Sequence, residues 1–486
     1  MMERDLWISL DRGVSPVVLS ARGAALGLRG FVHDRAERVA SLHLRLVQGG
    51  RTVEVSRLFL QDGLLGPTEA GIGDRIDGGF YLSAVFPPDP GLSNGAAFLE
   101  ATVNWGDGAS SEIRLAAVDL IRAEPVAEPT GENRALGRVG IAMATHNPDP
   151  ALFARQIASI RAQTHRDWIC VISDDQSRPD VLRAIAETID GDSRFHLLPP
   201  GPRLGFYRNF ERACASLPDS CGFVAFSDQD DVWLPERLAR QVAVAEGVDH
   251  ACCYSDMEVV RPDGSLISPT YWVHRRPRYG SLGGLLLANV VTGMTILARR
   301  ELIEEALPFP AAPGLTYHDH WIALLAARRG SLRYLAEPLA RYVQHGSNHT
   351  GALVRWKSSR TVLRESLARV SRFTRRGIFG HRLRSAASEP GIVKWIDTEP
   401  VRLRILVDRL TEMPGGTKRS DRALRRLSQS FGPLRLLASG ADWSDRYRRG
   451  IAIELVLGGL LKRVLNRSRR AMRVASDGPE ADGRAA

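Results

Sequence analysis

Between Val14 and Ile121 the chain reads as short runs in which apolar and polar residues alternate. LHLRLV (Leu42 to Val47), FYLSAVF (Phe80 to Phe86) and AFLEATVNW (Ala97 to Trp105) carry the period of two that a single buried face imposes on a strand. Asp77-Gly78, Asn94-Gly95 and Asp107-Gly108 supply turns. About seven short strands in roughly 110 residues predict an all-β sandwich of immunoglobulin-like type. No catalytic cluster falls within it. A packing or accessory module is the plain expectation, with carbohydrate binding as the alternative.

EPVAEPTGEN (Glu124 to Asn133) is a polar linker, and beyond it the pattern changes. VGIAMA (Val139 to Ala144) is an apolar strand, Pro150 to Gln163 has helical spacing, and WICVIS (Trp168 to Ser173) is a second strand before a helix from Asp180. FHLLP (Phe195 to Pro199), a helix from Gly205 to Ser216 and GFVAFS (Gly222 to Ser227) continue the alternation. Strand and helix in turn predict a doubly wound, mostly parallel α/β sheet, with ligands at the carboxyl ends of its strands. Beyond Gly351 the segments ESLARVSRF, PVRLRILVDRL, RALRRLSQS and RRGIAIELVLGGLLKRVL read as helices. The expected division is a β-sandwich over residues 1–123, a catalytic α/β domain over 136–352, a basic helical region over 353–474 and a disordered tail over 475–486.

The strand ends carry the candidate chemistry. Thr145-His146-Asn147 follows the first strand of the α/β region, Asp174-Asp175-Gln176-Ser177 the second, and Asp228, Asp230 and Asp231 of SDQDD the fourth. A lone acidic pair is ordinarily a solvated loop. Here carboxylates follow strand after strand at the edge where such sheets bind ligands. Asp228 and Asp230, one residue apart, can hold a hard divalent cation that keeps waters and binds substrate phosphates. No Gly-rich Walker loop occurs, which disfavours an ordinary nucleoside triphosphatase.

With these segments in order, residues 136 to 350 resemble family 2 glycosyltransferases of the GT-A fold, especially rhamnosyltransferase-like members. VGIAMATHNPDP resembles the family's opening strand and turn, SIRAQTHRDWICVISDDQS its SILxQTYxxxEIIVVDDGS pattern, and FSDQDDVWLPERL its DxD segment. NVVTGMTILARREL, YHDHWIALLAARRG and YVQHGSNHTG complete the acceptor half. The resemblance implies that Asp175 contacts the donor nucleobase, with Asp174 supporting it and Thr145 and Asn147 shaping the pocket. It implies that Asp228 and Asp230 bind Mn2+ or Mg2+ and thereby the diphosphate, with Arg208 and Asn209 near the donor. Arg208 reads equally as a solvated helix residue. Asp319, in YHDHW, matches the family's base position, and helix N-cap is its structural alternative. His345 fits a third metal ligand, set against an ordinary hydrogen-bonded histidine. One base without a second carboxylate nucleophile implies single displacement with inversion. His146 and Gln176 depart from the family's usual Tyr and Gly and leave the donor sugar open.

The implied partners are a nucleotide-diphosphate sugar and a glycan or lipid-linked glycan acceptor in polysaccharide biosynthesis. At 486 residues, with 44% hydrophobic and 25% charged residues, the chain has room for two to four domains. Its net charge of +10 is uneven: from Gly351 onward 30 Lys and Arg face 13 Asp and Glu, whereas the first 350 residues carry 35 against 42. A basic region of this kind also suits nucleic acid, but no helix-turn-helix, zinc-finger or RNP signature accompanies it. A catalytically silent glycan-binding scaffold is the other alternative, opposed by the joint presence of Asp228, Asp230 and Asp319. Five cysteines without metal-type pairing predict buried thiols. The first residues, MMERDLWISL, lack a secretory pattern, and no run reaches a membrane span's length, so a cytoplasmic location is expected. Tyr447 to Arg473 (YRRGIAIELVLGGLLKRVLNRSRRAMR) suits an interfacial helix at the inner face of the plasma membrane, on anionic lipid, or a core-facing helix with a solvated basic tail.

Overall fold

A computed structural model of the chain describes residues 7–10, 16–33, 39–64, 79–105, 108–127, 135–272, 282–312, 316–346, 348 and 399–429. The first nine strands are β1 (Trp7–Leu10), β2 (Val17–Leu19), β3 (Ala24–His33), β4 (Val39–Gln48), β5 (Arg51–Glu54), β6 (Arg57–Leu64), β7 (Gly79–Phe86), β8 (Gly95–Trp105) and β9 (Ser110–Arg122). They form two sheets, ordered β1-β3-β7-β6 and β2-β9-β8-β4-β5. Leu26, Leu82 and Phe86 of the first sheet and Leu44, Leu46 and Leu99 of the second share one apolar cluster. Alternation along β8 explains this: Ala97, Leu99, Ala101 and Val103 point inward, while Glu100 on the outer face pairs with Arg45 and Arg114, each at 3.2 Å. β7 breaks the alternation, since Tyr81, Ser83 and Val85 are buried along with Leu82, Ala84 and Phe86. Its second face is also covered, because Tyr81 packs on Val401 and Ile405 from the C-terminal part of the chain.

The α/β unit begins with β10 (Ala135–Thr145), followed by α1 (Pro150–Arg161), β11 (Trp168–Asp174), α2 (Pro179–Ile189), β12 (Phe195–Leu197), α3 (Phe206–Ala215), β13 (Cys221–Ser227), β14 (Val232–Trp233) and α4 (Arg237–Ala245). β15 (Cys252–Val260), β16 (Leu266–Ser268), α5 (Leu282–Leu287), a 3₁₀ turn (Gly293–Thr295), β17 (Ile296–Arg299), α6 (Arg300–Ala306), α7 (His318–Arg329) and β18 (Leu332–Val343) complete it. Asp149 starts α1 by accepting the amides of Ala151 and Leu152, both at 3.0 Å, ahead of Pro150.

The sheet runs β12-β11-β10-β13-β17-β15-β18-β14. β12, β11, β10 and β13 are mutually parallel, as the sequence pattern predicts. β17 is antiparallel to both β13 and β15, so the second half of this unit departs from a purely parallel sheet. The chain winds outward from β10 through β11 to β12 and then returns to the other side of β10 as β13. That reversal is a topological switch point, and a ligand crevice belongs outside the ends of β10 and β13.

Two C-terminal helices, α8 (Glu399–Glu412) and α9 (Lys418–Gln429), are described. Leu403, Leu406 and Leu410 of α8 and Leu424 and Leu427 of α9 lie in one cluster with Trp321, Leu324 and Leu325 of α7. This is why α7 is buried on nearly every side. All five cysteines are buried free thiols. Among the described residues no helix is long and apolar enough to cross a membrane. The segment Tyr447 to Arg473 lies outside the described residues.

Candidate active site

The loops after β10 and β11 are locked to each other. Thr145 Oγ1 donates to Asp174 Oδ2 at 2.8 Å, and the same carboxylate takes the Ser177 amide at 2.7 Å and its hydroxyl at 2.6 Å. Asn147 N donates to Ser177 Oγ at 2.7 Å, and Asn147 Oδ1 accepts Arg178 N at 2.9 Å. Asn147 and Gln176 both take positive φ, 44° and 60°, so the two loops turn back sharply beside one another.

Asp175, only 4% exposed, accepts the amides of Leu204 and Gly205, the latter at 3.0 Å from Oδ2, and the Arg203 guanidinium lies 3.9 Å away. His146 joins the same network. Its Nδ1 lies 2.8 Å from the Asp175 carbonyl oxygen and therefore carries the proton. That leaves Nε2 to accept from Arg203 Nη2 and Asn147 Nδ2, each at 3.3 Å.

Arg208 and Asn209 of α3 are both held by protein groups. Arg208, its side chain 11% exposed, donates to Glu211, to Phe309 O at 3.0 Å and to Ala25 O of β3 at 3.0 Å. Its guanidinium joins α3 to the N-terminal sheet instead of facing the strand ends. Asn209 is buried and donates to Ser173 O at 2.7 Å, fastening α3 beneath those ends.

Asp230 meets His345, and the charges of Asp230 and Asp319 both reach Asp228. His345 Nε2 lies 2.9 Å from Asp230 Oδ2, with Asn348 Nδ2 3.2 Å from the same nitrogen. Asp228, half-buried by surface area yet enclosed by protein, is pushed up by burial first and then by the charges of Asp230 and Asp319. Asp231 is raised for the same reasons and accepts Val343 N at 3.1 Å. Behind the loop lies Arg237, fully buried, with its guanidinium carbon 3.6 Å from the Trp233 ring centroid and Nη2 donating to Ile296 O at 3.1 Å. Burial pulls its pKa down to about 9, opposed by Cys253, Asp231 and Asp228. Among the described residues no three His, Cys, Asp or Glu side chains form a group ready to hold a metal ion.

Asp319 sits in the first turn of α7, with Tyr317 at the N-cap position and no side-chain cap. Its Oδ1 accepts Asn289 Nδ2 at 2.9 Å and its Oδ2 accepts Gly293 N at 3.0 Å. Burial raises its pKa to about 7 against these hydrogen bonds. At neutral pH such a carboxyl can both take up and release a proton.

Gln229, Asn289, Gly293 and Arg237 escaped the sequence reading. Gln229 had a signal, its place between two aspartates: Oε1 accepts His146 N at 2.8 Å and Nε2 donates to His146 O at 3.4 Å. Asn289 is the one polar residue in GLLLANVVTG before the threonine, and its amide also donates to Val291 O at 2.8 Å.

Residues 141–307 match the sequence model for glycosyl transferase family 2. Over these residues the chain is similar to family 2 glycosyltransferases. An uncharacterized glycosyltransferase of Nostoc sp. is 28% identical over 210 residues, covering 40% of this chain and 62% of that protein. The dTDP-rhamnosyl transferase RfbG of Shigella flexneri is 25% identical over 227 residues, 44% of this chain and 76% of the relative. The WfgD enzyme of Escherichia coli, a UDP-Glc:α-D-GlcNAc-diphosphoundecaprenol β-1,3-glucosyltransferase, is 25% identical over 38% of this chain and 69% of its own. The chain thus spans less than two thirds of the first of these relatives, and all three alignments cover less than half of it. The match spans the strand-end acids after β11 and β13 and leaves β1–β9 and α8–α9 outside it.

Proposed function

We propose that the family 2 domain transfers a sugar from a nucleotide-diphosphate donor to a glycan or lipid-linked glycan acceptor during polysaccharide assembly, with inversion at the anomeric carbon. The observation that carries this is the gathering of acids at the carboxyl ends of β11 and β13, on either side of β10 where the sheet reverses: Asp174 is locked to Thr145 at 2.8 Å, and Asp230 lies 2.9 Å from His345. In this reading the crevice between Thr145, Asn147, Asp174 and Asp175 receives the nucleoside. Relatives named for dTDP-rhamnose and for UDP-glucose with a lipid-diphosphate acceptor support the donor and acceptor classes.

Asp230, His345 and Asp228 would hold Mn2+ or Mg2+. Neighbouring ligands of an octahedral shell with ~2.1 Å bonds lie about 3 Å apart. The 2.9 Å contact between Asp230 Oδ2 and His345 Nε2 matches that spacing. Such a cation keeps waters and takes phosphate oxygens, so few protein ligands suffice, and it would stabilise the departing diphosphate as a Lewis acid.

Asp319 then acts on the acceptor. Its carboxylate, held by Asn289 and Gly293, removes the hydroxyl proton as the acceptor oxygen bonds to the anomeric carbon. The bond from that carbon to the diphosphate oxygen breaks on the opposite face, and its electron pair leaves with the nucleoside diphosphate. Asp319 keeps the proton until solvent takes it. One displacement gives one inversion.

The two sheets of β1–β9 are read as an accessory β-sandwich of immunoglobulin-like type, and the chain as a cytoplasmic enzyme with peripheral contact to the inner membrane face. A panel of UDP-, dTDP- and GDP-sugars incubated with Mn2+ or Mg2+ tests the central claim. Release of nucleoside diphosphate from at least one donor is expected. Silence across the panel, with the nucleotides nonetheless bound, would favour the glycan-binding scaffold.

A further inference from the structure

The residue that supplies an amide to Asp175 also faces the other way. Leu204 N donates to Asp175 Oδ1 and Gly205 N donates to Oδ2 at 3.0 Å. The Leu204 side chain, however, is buried in a small cluster with Val18 of β2, Ile121 of β9 and Ala123, with Ala215 of α3 against it. Three of these partners belong to the N-terminal unit. β2 and β9 are paired in parallel there, Val18 opposite Ile121, so they present one firm surface.

Two further contacts hold the same neighbourhood. Arg208 Nη2 donates to Ala25 O of β3 at 3.0 Å at the start of α3, and Val126 N donates to Ser216 O at 3.0 Å beyond its end. Arg212 Nη2 donates to Pro199 O at 2.6 Å and fixes the far end of the loop. Gly205, at φ 74°, makes the turn into α3 without the steric cost a side chain would add there. The segment from Pro199 to Gly205 is therefore clamped between the N-terminal unit and the strand-end acids.

We propose that the N-terminal unit is a positioning element for the donor crevice: by seating Leu204, it holds the Leu204 and Gly205 amides on Asp175 and so fixes the carboxylate that faces the nucleoside. This rests on the reading of the Asp175 crevice as the nucleotide site. Val18, Ile121 and Leu204 are positioning residues, acting through the loop and touching no substrate.

The test compares full-length Val18→Ala, Leu204→Ala and their double variant with Leu44→Ala, a core change in the N-terminal unit remote from the interface; Ile121→Val replaces any variant that fails to fold. Two quantities are read: amide hydrogen exchange at Leu204 and Gly205, and binding of UDP, dTDP and GDP by calorimetry. Val18→Ala and Leu204→Ala should each speed exchange of these two amides and weaken nucleotide binding by about fivefold or more. The double variant should lose less than the product of the single losses, because both remove one contact. Leu44→Ala should lower the melting temperature yet leave exchange and affinity unchanged. Unaltered exchange at Leu204 and Gly205 in the interface variants would overturn the proposal. Faster exchange in a protein whose wild type binds none of the three nucleotides would instead uphold the clamp and overturn the reading of the crevice.

Discussion

His345 Nε2 and Asp230 Oδ2 stand 2.9 Å apart although 115 positions separate them in the chain. β14 and β18 pair, Val232 opposite Arg341, and so bring the loop after β13 beside the segment that follows Val343. Asp230→Ala should abolish donor hydrolysis, and excess chelator should do the same to the wild type. His345→Ala should raise the Mn2+ concentration needed for half-maximal rate by roughly tenfold or more. Titrating the metal in a nucleotide-release assay measures both, and full activity in chelator would remove the cation from the reaction.

Asp319→Asn preserves shape and most hydrogen bonds but not basicity. Transfer should fall by about 10²–10⁴-fold, the range general-base catalysis accounts for. Affinity for the donor's nucleoside diphosphate should change little. Single-turnover kinetics separate the two, and a variant with near-normal turnover would exclude Asp319 as the base.

Because burial raises Asp319 from 3.8 to about 7, the base form exists above that pH. The rate should climb about tenfold per pH unit up to roughly pH 7 and then level. Stability runs the other way. Between pH 3.8 and about 7 the folded chain holds a proton that the unfolded chain releases, so this group's contribution falls as pH rises through that window. Denaturant titrations of wild type and Asp319→Asn across the window should show the slope in the first and its reduction in the second.

Arg208→Met should destabilise the protein by about 3–5 kcal/mol, because it leaves Glu211 buried without its charged partner. Adding Glu211→Leu should recover much of the loss. Chemical unfolding of the single and double variants reads this directly. No recovery in the double variant would mean that Arg208 matters chiefly through Ala25 O and Phe309 O.

Tyr447 to Arg473 sets an apolar stretch among Arg448, Arg449, Lys462, Arg463, Arg467, Arg469 and Arg470. Each basic side chain near an anionic leaflet contributes about 1 kcal/mol, screened by salt. Intact protein should sediment with anionic and not with neutral vesicles, and a chain ending before Tyr447 should stay in solution. Equal behaviour of the two chains would return this segment to a packing role.

The strands of the parallel half were legible because a fully buried strand writes itself as an apolar run: WICVIS and GFVAFS became β11 and β13 within a residue or two. The acids at their ends were legible because such sheets bind ligands there. Arg208 was not, since nothing local distinguishes a solvated helix arginine from one whose partner, Ala25 O, lies 183 positions earlier. β17 was not read as a strand, and its antiparallel direction depends on pairing with β13 and β15 at once. Asp319 was legible from YHDHW, but a short polar run before a helix could not distinguish the N-cap from the first turn. Tyr317 takes the cap, and Asn289 and Gly293 engage the carboxylate.

Gln229 occupies the position that a D-x-D pattern leaves blank. In this chain the blank is a rivet: one amide group accepts the His146 N–H and returns a hydrogen to the His146 carbonyl, joining the two loops that flank the sheet's reversal. A leucine there would satisfy every pattern search and still cut the loops apart. In this chain the middle letter of the motif, not only its two aspartates, therefore sets how the crevice's two walls stand to each other.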